Sequence, residues 1–172
     1  MDSTDEATIA FLIAGGFVRK RRCYEVDAGA DAYIGGKSNV QLFYTHVGNT
    51  MYAQCCRMMF DYYVKTHRGV NPWTAGYETF CRSMPADVAF VRQDGEIAAL
   101  AFVEGNEIAY VCGIDKQIFT DFARCLVTAM FERYKTICFE CDDCDWAAMT
   151  LKSMFIDQDE TSFDTYILGD SL

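Results

Sequence analysis

Three cysteines recur at every third position near the end of the chain, at Cys138, Cys141 and Cys144. Thiolates at this spacing can converge on one zinc ion or begin an iron–sulfur site. Both kinds of site need a fourth ligand, and the two histidines, His46 and His67, stand alone in the sequence. We therefore interpret the three cysteines as structural and predict no metal site.

The composition narrows the class of protein. The nine cysteines are an odd number with no secretion signal before them, which favours reduced thiols over a disulfide framework. The apolar run from Ile9 to Phe17 is too short to span a membrane and follows acidic residues. A net charge of −10 argues against nucleic acid or an anionic membrane as a partner. We expect a cytoplasmic protein with no nucleic-acid partner and no membrane partner.

The elements that must position any reactive group are clearest between positions 87 and 140. Alternating apolar residues flank Asp94-Gly95 and then Glu104-Gly105-Asn106, which predicts a three-stranded antiparallel meander. Apolar residues spaced by three and four from Phe119 to Tyr134 predict a helix of about five turns. Thr136 to Glu140 is typical of a short buried strand. A crossover of this length places its two strands parallel in one sheet.

Capping residues and apolar periods predict the remaining elements. Asn49 begins a helix that runs to about Thr66. The others, in chain order, are an opening helix–strand unit (Glu6 to Asp27), a strand (Val40 to Val47), a short helix capped by Thr74 after a break at Asn71-Pro72 (Ala75 to Met84), a late helix (Trp146 to Phe155) and a final strand (Ser162 to Leu168).

This order of two helices, a meander, a crossover helix, a strand, a helix and a strand resembles the GNAT family of acyl-CoA-dependent N-acetyltransferases. The resemblance covers roughly positions 51 to 168. It implies an α/β fold in a single domain spanning positions 1 to 172. The sheet would be mixed and splayed, with about six to seven strands and helices on both faces. The implied activity is transfer of an acetyl group from acetyl-CoA to a small amine.

The opening unit, positions 1 to 34, resembles the end of a GNAT domain, where a helix closes on a Gly-Phe pair and runs into a late strand. Its helix ends at Gly15-Gly16, and its strand passes through Arg22 to Val26. Three interpretations stay open: half of a decayed repeat, a strand exchanged between the subunits of a homodimer, or convergence on a helix-stop pattern.

The resemblance places the pyrophosphate of acetyl-CoA on backbone amides at the start of the crossover helix, where the family has Arg/Gln-x-x-Gly-x-Gly/Ala. A helix N-terminus offers unpaired N–H groups and a positive dipole end. The matching loop of this chain has a single glycine and carries Asp115, a residue type that commonly caps a helix. The cofactor-binding residues implied are Val111, Cys112, Gly113, Ile114, Lys116 and Gln117.

Acetyl transfer needs a general base that removes a proton from the amine and a general acid that protonates the departing thiolate of CoA. Many family members use a tyrosine on the last helix as the acid, but Thr150 or Leu151 stands there in this chain. The catalytic candidates that remain are Tyr110 and Glu140, on the two strands that would frame the cleft. We favour Glu140 as the base, because partial burial raises the pKa of a carboxyl group.

Other polar and aromatic residues near the cleft have simpler interpretations. Glu104 and Glu107 flank a turn, which predicts solvated side chains. The resemblance would place Tyr62, Trp73 and Tyr77 on the side of the amine acceptor, but we interpret them as packing residues. The sequence thus predicts a GNAT-like N-acetyltransferase with acetyl-CoA as co-substrate. The alternative is a catalytically inactive GNAT-fold module that binds or regulates.

Overall fold

The computed structural model describes residues 1–70, 76–156 and 158–169. The described residues form five α-helices and seven strands. In chain order they are α1 (Glu6–Ala14), β1 (Phe17–Gly29), β2 (Phe43–His46), α2 (Thr50–His67), α3 (Tyr77–Arg82), β3 (Asp87–Gln93), β4 (Glu96–Glu104), β5 (Glu107–Gly113), α4 (Lys116–Phe131), β6 (Thr136–Asp142), α5 (Trp146–Lys152) and β7 (Phe163–Leu168).

The seven strands form one mixed sheet in the order β2-β3-β4-β5-β6-β1-β7. Neighbouring strands are antiparallel throughout, except that β5 and β6 are parallel. Helix α4 connects these two strands, as a parallel pair requires. The α/β class, the mixed sheet and the number of strands are as predicted from the sequence.

The predicted meander is confirmed at both of its turns. Asp94 and Gly95 have φ angles of 54° and 88°, which places both in the left-handed region that a primed hairpin turn needs. Asn49 also caps α2 as predicted, since its side chain accepts a hydrogen bond from the Met51 amide. These elements follow from local sequence, because the turn and the cap each depend on two or three adjacent residues.

The parallel pair is splayed. Strands β5 and β6 are in register at a single position, Glu107 opposite Cys138, and then diverge. By contrast, β5 pairs with β4 along its whole length, from Glu107 to Gly113. Among the described residues, the edge of β5 that faces β6 therefore has no strand partner beyond Glu107. The splay predicted for the middle of the sheet is present.

Helices cover both faces of the sheet, and the central strands are apolar on both sides for that reason. Successive residues of a strand point to opposite faces, so each of β3 and β4 contributes to two cores. Ala89, Val91, Ala99 and Ala101 pack with α4 and α5. Val88, Phe90, Leu100 and Phe102 pack with α2 and α3.

Strand β1 is longer than predicted and lies inside the sheet. It pairs antiparallel with β6 along Cys23 to Gly29 and with β7 along Phe17 to Cys23. The first strand of the chain is therefore a neighbour of its last two strands. Helix α1, which precedes it, contributes no buried residue.

Several predicted boundaries differ from the observed ones. Strand β2 begins at Phe43 and not at Val40, and α5 ends at Lys152 and not at Phe155. Tyr134, predicted on the buried stripe of the crossover helix, lies beyond the end of α4 and is exposed. The predicted break and cap at positions 71–74 lie outside the described residues. Of the helices that the structure describes, none is long and apolar enough to cross a membrane.

Candidate functional site

A cavity of about 230 Å³ lies where β5 and β6 diverge. The two strands form its walls, and the C-terminal half of α2 and one side of α5 close it. The splay is the reason for the cavity, because two strands paired at one position leave space that no backbone fills. The sequence predicted a cleft between these strands, and the structure places both predicted catalytic candidates, Tyr110 and Glu140, on its walls.

Two carboxylates line this cavity from opposite strands, Glu107 on β5 and Glu140 on β6. Both residues are exposed, and within the described parts of the chain no Lys or Arg forms an ion pair with either. The expected partial burial of Glu140 is wrong, since the buried positions of β6 are Ile137, Phe139 and Cys141, and Glu140 between them is exposed. Burial therefore gives no reason to assign Glu140 as a base.

Tyr110 lies on β5 and is half-buried among aromatic rings. Its ring meets those of Tyr63 and Phe80 edge to face, with centroids 6.3 Å and 5.9 Å away. Burial raises the pKa of Tyr110, and the neighbouring Tyr63 and the carboxylates Glu140 and Glu107 raise it further. The phenol thus keeps its proton at neutral pH, so it can donate a hydrogen bond but is a poor base.

At one end of the cavity, His67 and Arg21 bind the same oxygen of Asp142. His67 Nε2 lies 2.9 Å and Arg21 Nη1 lies 3.0 Å from Asp142 Oδ2. Burial alone would lower the pKa of His67, but hydrogen bonding to Asp142 and Cys144 raises it to about 9. Burial likewise opposes ionisation of Asp142, yet His67 and Arg21 outweigh it and lower the pKa of that carboxyl group.

The His67 ring is held firmly at the end of α2. Its side chain is almost fully buried, with 2 % of the residue exposed. Nδ1 lies 2.8 Å from Thr66 Oγ1 and 3.2 Å from the Tyr63 carbonyl, where it donates a hydrogen bond. The Tyr63 ring stacks on the imidazole with centroids 4.0 Å apart. These contacts orient Nε2 toward Asp142.

Cys144 completes a cluster that the sequence analysis missed. One potential ligand atom each from His67, Asp142 and Cys144 all lie within 4.8 Å of one another. His67 stands alone in the sequence, but the fold brings it to Asp142 and Cys144. His67 and Asp142 are 75 positions apart, and no local pattern marks either residue.

The other two cysteines of the run point elsewhere. Cys138 Sγ lies 4.0 Å from the Asn106 carbonyl oxygen, and Cys141 Sγ lies 3.2 Å from Met149 Sδ. Residues three apart on a strand face opposite sides of the sheet, so Cys138 and Cys141 cannot converge on one ion. The interpretation of these two cysteines as structural agrees with their places in the fold.

In the loop predicted to hold a pyrophosphate, a carboxylate of the chain itself binds helix amides. Asp115 Oδ1 accepts hydrogen bonds from the amides of Gln117 at 2.8 Å and Ile118 at 3.1 Å. Two amides of the first turn of α4 are therefore already bound by a carboxylate of the chain itself. A second anion at the same place would be repelled by that charge.

Four of the six predicted cofactor-binding residues have other roles, and the remaining two are exposed. Val111 and Cys112 are buried in β5, and Gln117 donates a hydrogen bond to Asp121. A Cβ added at Gly113 would lie 2.9 Å from Phe119 Cβ, so packing against α4 explains this glycine. Ile114 is 65 % exposed, and Lys116 is exposed at the helix start.

Helix α5 offers no acid at the position of the family tyrosine. Leu151 lines the cavity with an apolar side chain, and the Thr150 hydroxyl donates to the Trp146 carbonyl. Tyr62, which we predicted to pack, has a polar role as well, since its phenol donates to Asp145 at 2.6 Å. Trp73 lies outside the described residues.

A comparison of this chain with protein-family models gives no match, and a comparison with curated proteins gives none either. The GNAT resemblance therefore depends on the order of elements and on the splayed strand pair.

Proposed function

We propose that this protein is a GNAT-fold binding module that holds a small amine in the cavity between β5 and β6. The observation that carries the proposal is the pair of carboxylates, Glu107 and Glu140, on opposite walls of the splay. Arg21 also lines the cavity but pairs with Asp142, so no Lys or Arg of the described residues forms an ion pair with either glutamate. A protonated amine would supply the missing positive charge.

The rest of the cavity suits the body of such a ligand. Tyr63 and Tyr110 line it with aromatic rings, and Phe139 and Leu151 add apolar surface. An ammonium group gains from carboxylate oxygens and from the faces of aromatic rings. The volume of about 230 Å³ limits the occupant to a small molecule.

Binding without acyl transfer is the better-supported activity. The amides that would hold a pyrophosphate are capped by Asp115, and α5 carries no tyrosine at the position of the acid. Transfer would need both a place for the thioester and a proton for the departing thiolate. The three-dimensional arrangement supports the amine-binding half of a GNAT reaction more strongly than the acyl-CoA half.

The test compares two probes of equal size. Titration calorimetry with n-butylamine is expected to show binding, whereas 1-butanol, which lacks the charge, is expected to show none. Replacing both carboxylates in the double variant Glu107→Gln/Glu140→Gln should weaken binding of n-butylamine at least tenfold. The matched control is Glu104→Gln, at the other end of the same turn and outside the cavity. Equal binding of the amine and the alcohol would rule out the proposal.

Acetyl transfer to the amine is a second candidate, favoured by the edge of β5 that faces β6. Beyond Glu107 this edge has no strand partner in the described chain, so its backbone groups are free to pair with an extended acyl arm. Titration with acetyl-CoA, backed by a thermal shift, separates the two candidates. Micromolar binding, with release of CoA when an amine is added, would establish the transferase. No binding at millimolar acetyl-CoA would rule out the transferase and favour the amine-binding module.

The compartment that suits this protein is the cytoplasm. All nine cysteines are free thiols, as expected in a reducing environment. Fluorescence microscopy of the tagged protein would test the location.

A further inference from the structure

We propose that His67, Asp142 and Cys144 form a binding site for a divalent transition metal, with zinc as the preferred ion. The site is distinct from the carboxylates of the amine cavity, although it adjoins that cavity at its His67 end. Nitrogen, oxygen and thiolate ligands together suit zinc or cobalt, whereas calcium and magnesium prefer oxygen ligands alone.

The spacing of the three ligand atoms is close to what such an ion needs. Usual bond lengths of zinc to nitrogen, oxygen and sulfur, in tetrahedral geometry, put neighbouring ligand atoms roughly 3.4–3.6 Å apart. In the structure, His67 Nε2 and Asp142 Oδ2 are 2.9 Å apart, and the ligand atoms of all three residues lie within 4.8 Å of one another. Shifts of about an ångström in side chains would admit the ion.

The histidine is already oriented as a metal ligand would be. Metal-binding histidines usually donate the other ring N–H to a carbonyl or carboxylate, which fixes the ring and the free nitrogen. Here Nδ1 of His67 donates to the Tyr63 carbonyl at 3.2 Å and lies 2.8 Å from Thr66 Oγ1. Nε2 is thereby directed at the cluster.

Asp142 has bonding capacity that the protein leaves unused. Its Oδ2 interacts with both His67 and Arg21, but Oδ1 is buried and has no hydrogen-bond partner among the described residues. An unsatisfied buried carboxylate oxygen is unfavourable, and a cation beside it would remove that cost. Arg21 would continue to hold the carboxylate through Oδ2.

The three residues leave a fourth position for solvent. His67 and Asp142 both line the cavity between β5 and β6, so an ion bound to them would face that space. Three protein ligands and one open position are typical of zinc sites that are not purely structural. Binding would replace the His67–Asp142 hydrogen bond, and the protons displaced from the Cys144 thiol and from His67 would pass to solvent.

Cobalt(II) is the probe, because a bond between Co²⁺ and a thiolate gives a charge-transfer absorption band. Full-length protein, reduced and stripped of metal, is titrated with CoCl₂. The band is expected to saturate at one ion per chain and to disappear on addition of excess zinc. Cys144→Ser should abolish the band, and His67→Gln should weaken binding at least tenfold. Cys138→Ser, in the same segment but directed at Asn106, should leave the titration unchanged.

Two results would overturn the site: no band with cobalt in large excess, or a band that persists in Cys144→Ser. Cys144 is only partly buried, so we expect Cys144→Ser to fold. His67 is buried, and His67→Gln could fail to fold. In that case the Cys144→Ser titration by itself tests the site. Circular dichroism confirms folding of each variant. The cobalt titration contains no amine, so its result is independent of the proposed amine binding.

Discussion

The phenol of Tyr62 donates a 2.6 Å hydrogen bond to Asp145 Oδ1, although the two residues are 83 positions apart. Asp145 is buried and caps α5, where its Oδ1 also accepts from the amides of Ala147 and Ala148. One carboxylate oxygen therefore joins α2 to the start of α5, on the side of the sheet where the cavity closes.

Removing this hydroxyl in Tyr62→Phe should destabilise the fold by about 1.5–3 kcal/mol, the range for a hydrogen bond to a charged group. The ring itself is retained, so its edge-to-face contact with Trp146 should survive. The measurement is urea unfolding followed by fluorescence. In the control Tyr77→Phe, the lost hydroxyl makes an exposed 3.3 Å bond to the Ala53 carbonyl, and we expect a change under about 0.5 kcal/mol. Equal effects would contradict the role given to Tyr62.

Asp115→Ala should cost about 1 kcal/mol in the free energy of unfolding, because α4 loses its cap. Asp115→Asn should cost little, since asparagine also caps a helix. Asp5→Ala is the matched control: Asp5 caps α1 through the Thr8 amide, but α1 buries nothing, so we expect global stability to stay within about 0.5 kcal/mol. Unfolding by guanidinium chloride measures all three. A neutral result for Asp115→Ala would mean that the cap is not needed there.

Gly113→Ala should destabilise the protein by about 1–3 kcal/mol, because the added methyl meets Phe119 Cβ at 2.9 Å inside the core. Gly69→Ala is the control, since a Cβ there has nothing within 4 Å. That variant should be unchanged or more stable by up to about 1 kcal/mol. Thermal unfolding distinguishes the two. If Gly113→Ala is neutral, packing against α4 is not what requires the glycine.

Two deletions of different length in the opening unit should affect unfolding differently. Removing residues 1–14 takes away α1, which buries nothing, and the short pairing of residues 1–3 with β7, so the chain should be less stable but still unfold cooperatively. Removing residues 1–29 takes away β1, the strand that pairs with both β6 and β7, and should abolish cooperative unfolding. Denaturation curves test both deletions, and cooperative unfolding without β1 would contradict this account.

Gel filtration of the 1–14 deletion also tests the predicted homodimer. Phe11 and Ile13 of α1 are exposed apolar residues, at 76 % and 60 %. If they hold two chains together, the intact protein will elute as a dimer and the deletion as a monomer. Identical elution of both as monomers would remove α1 from consideration as an interface.

What could be predicted from sequence was local in origin. Asp94-Gly95 specifies its turn because both residues tolerate positive φ, and Asn49 specifies a helix start because its own side chain caps α2. The apolar stripe of α4 follows from a period of 3.6 residues. The splay between β5 and β6 was predicted through a family resemblance and not through any single residue.

The tertiary structure alone decided which distant side chains meet and what environment each has. Only the position of β1 between β6 and β7 brings Arg21 to Asp142, and only the packing of α2 brings His67 to the same carboxylate. Glu140 lies outside the core because Ile137, Phe139 and Cys141 take the buried positions of β6 and Glu140 alternates with them. Sequence patterns act over a few residues along the chain, so they determine turns, caps and helix faces. Burial and contacts between side chains far apart in sequence depend on how those elements pack, which the local patterns do not contain.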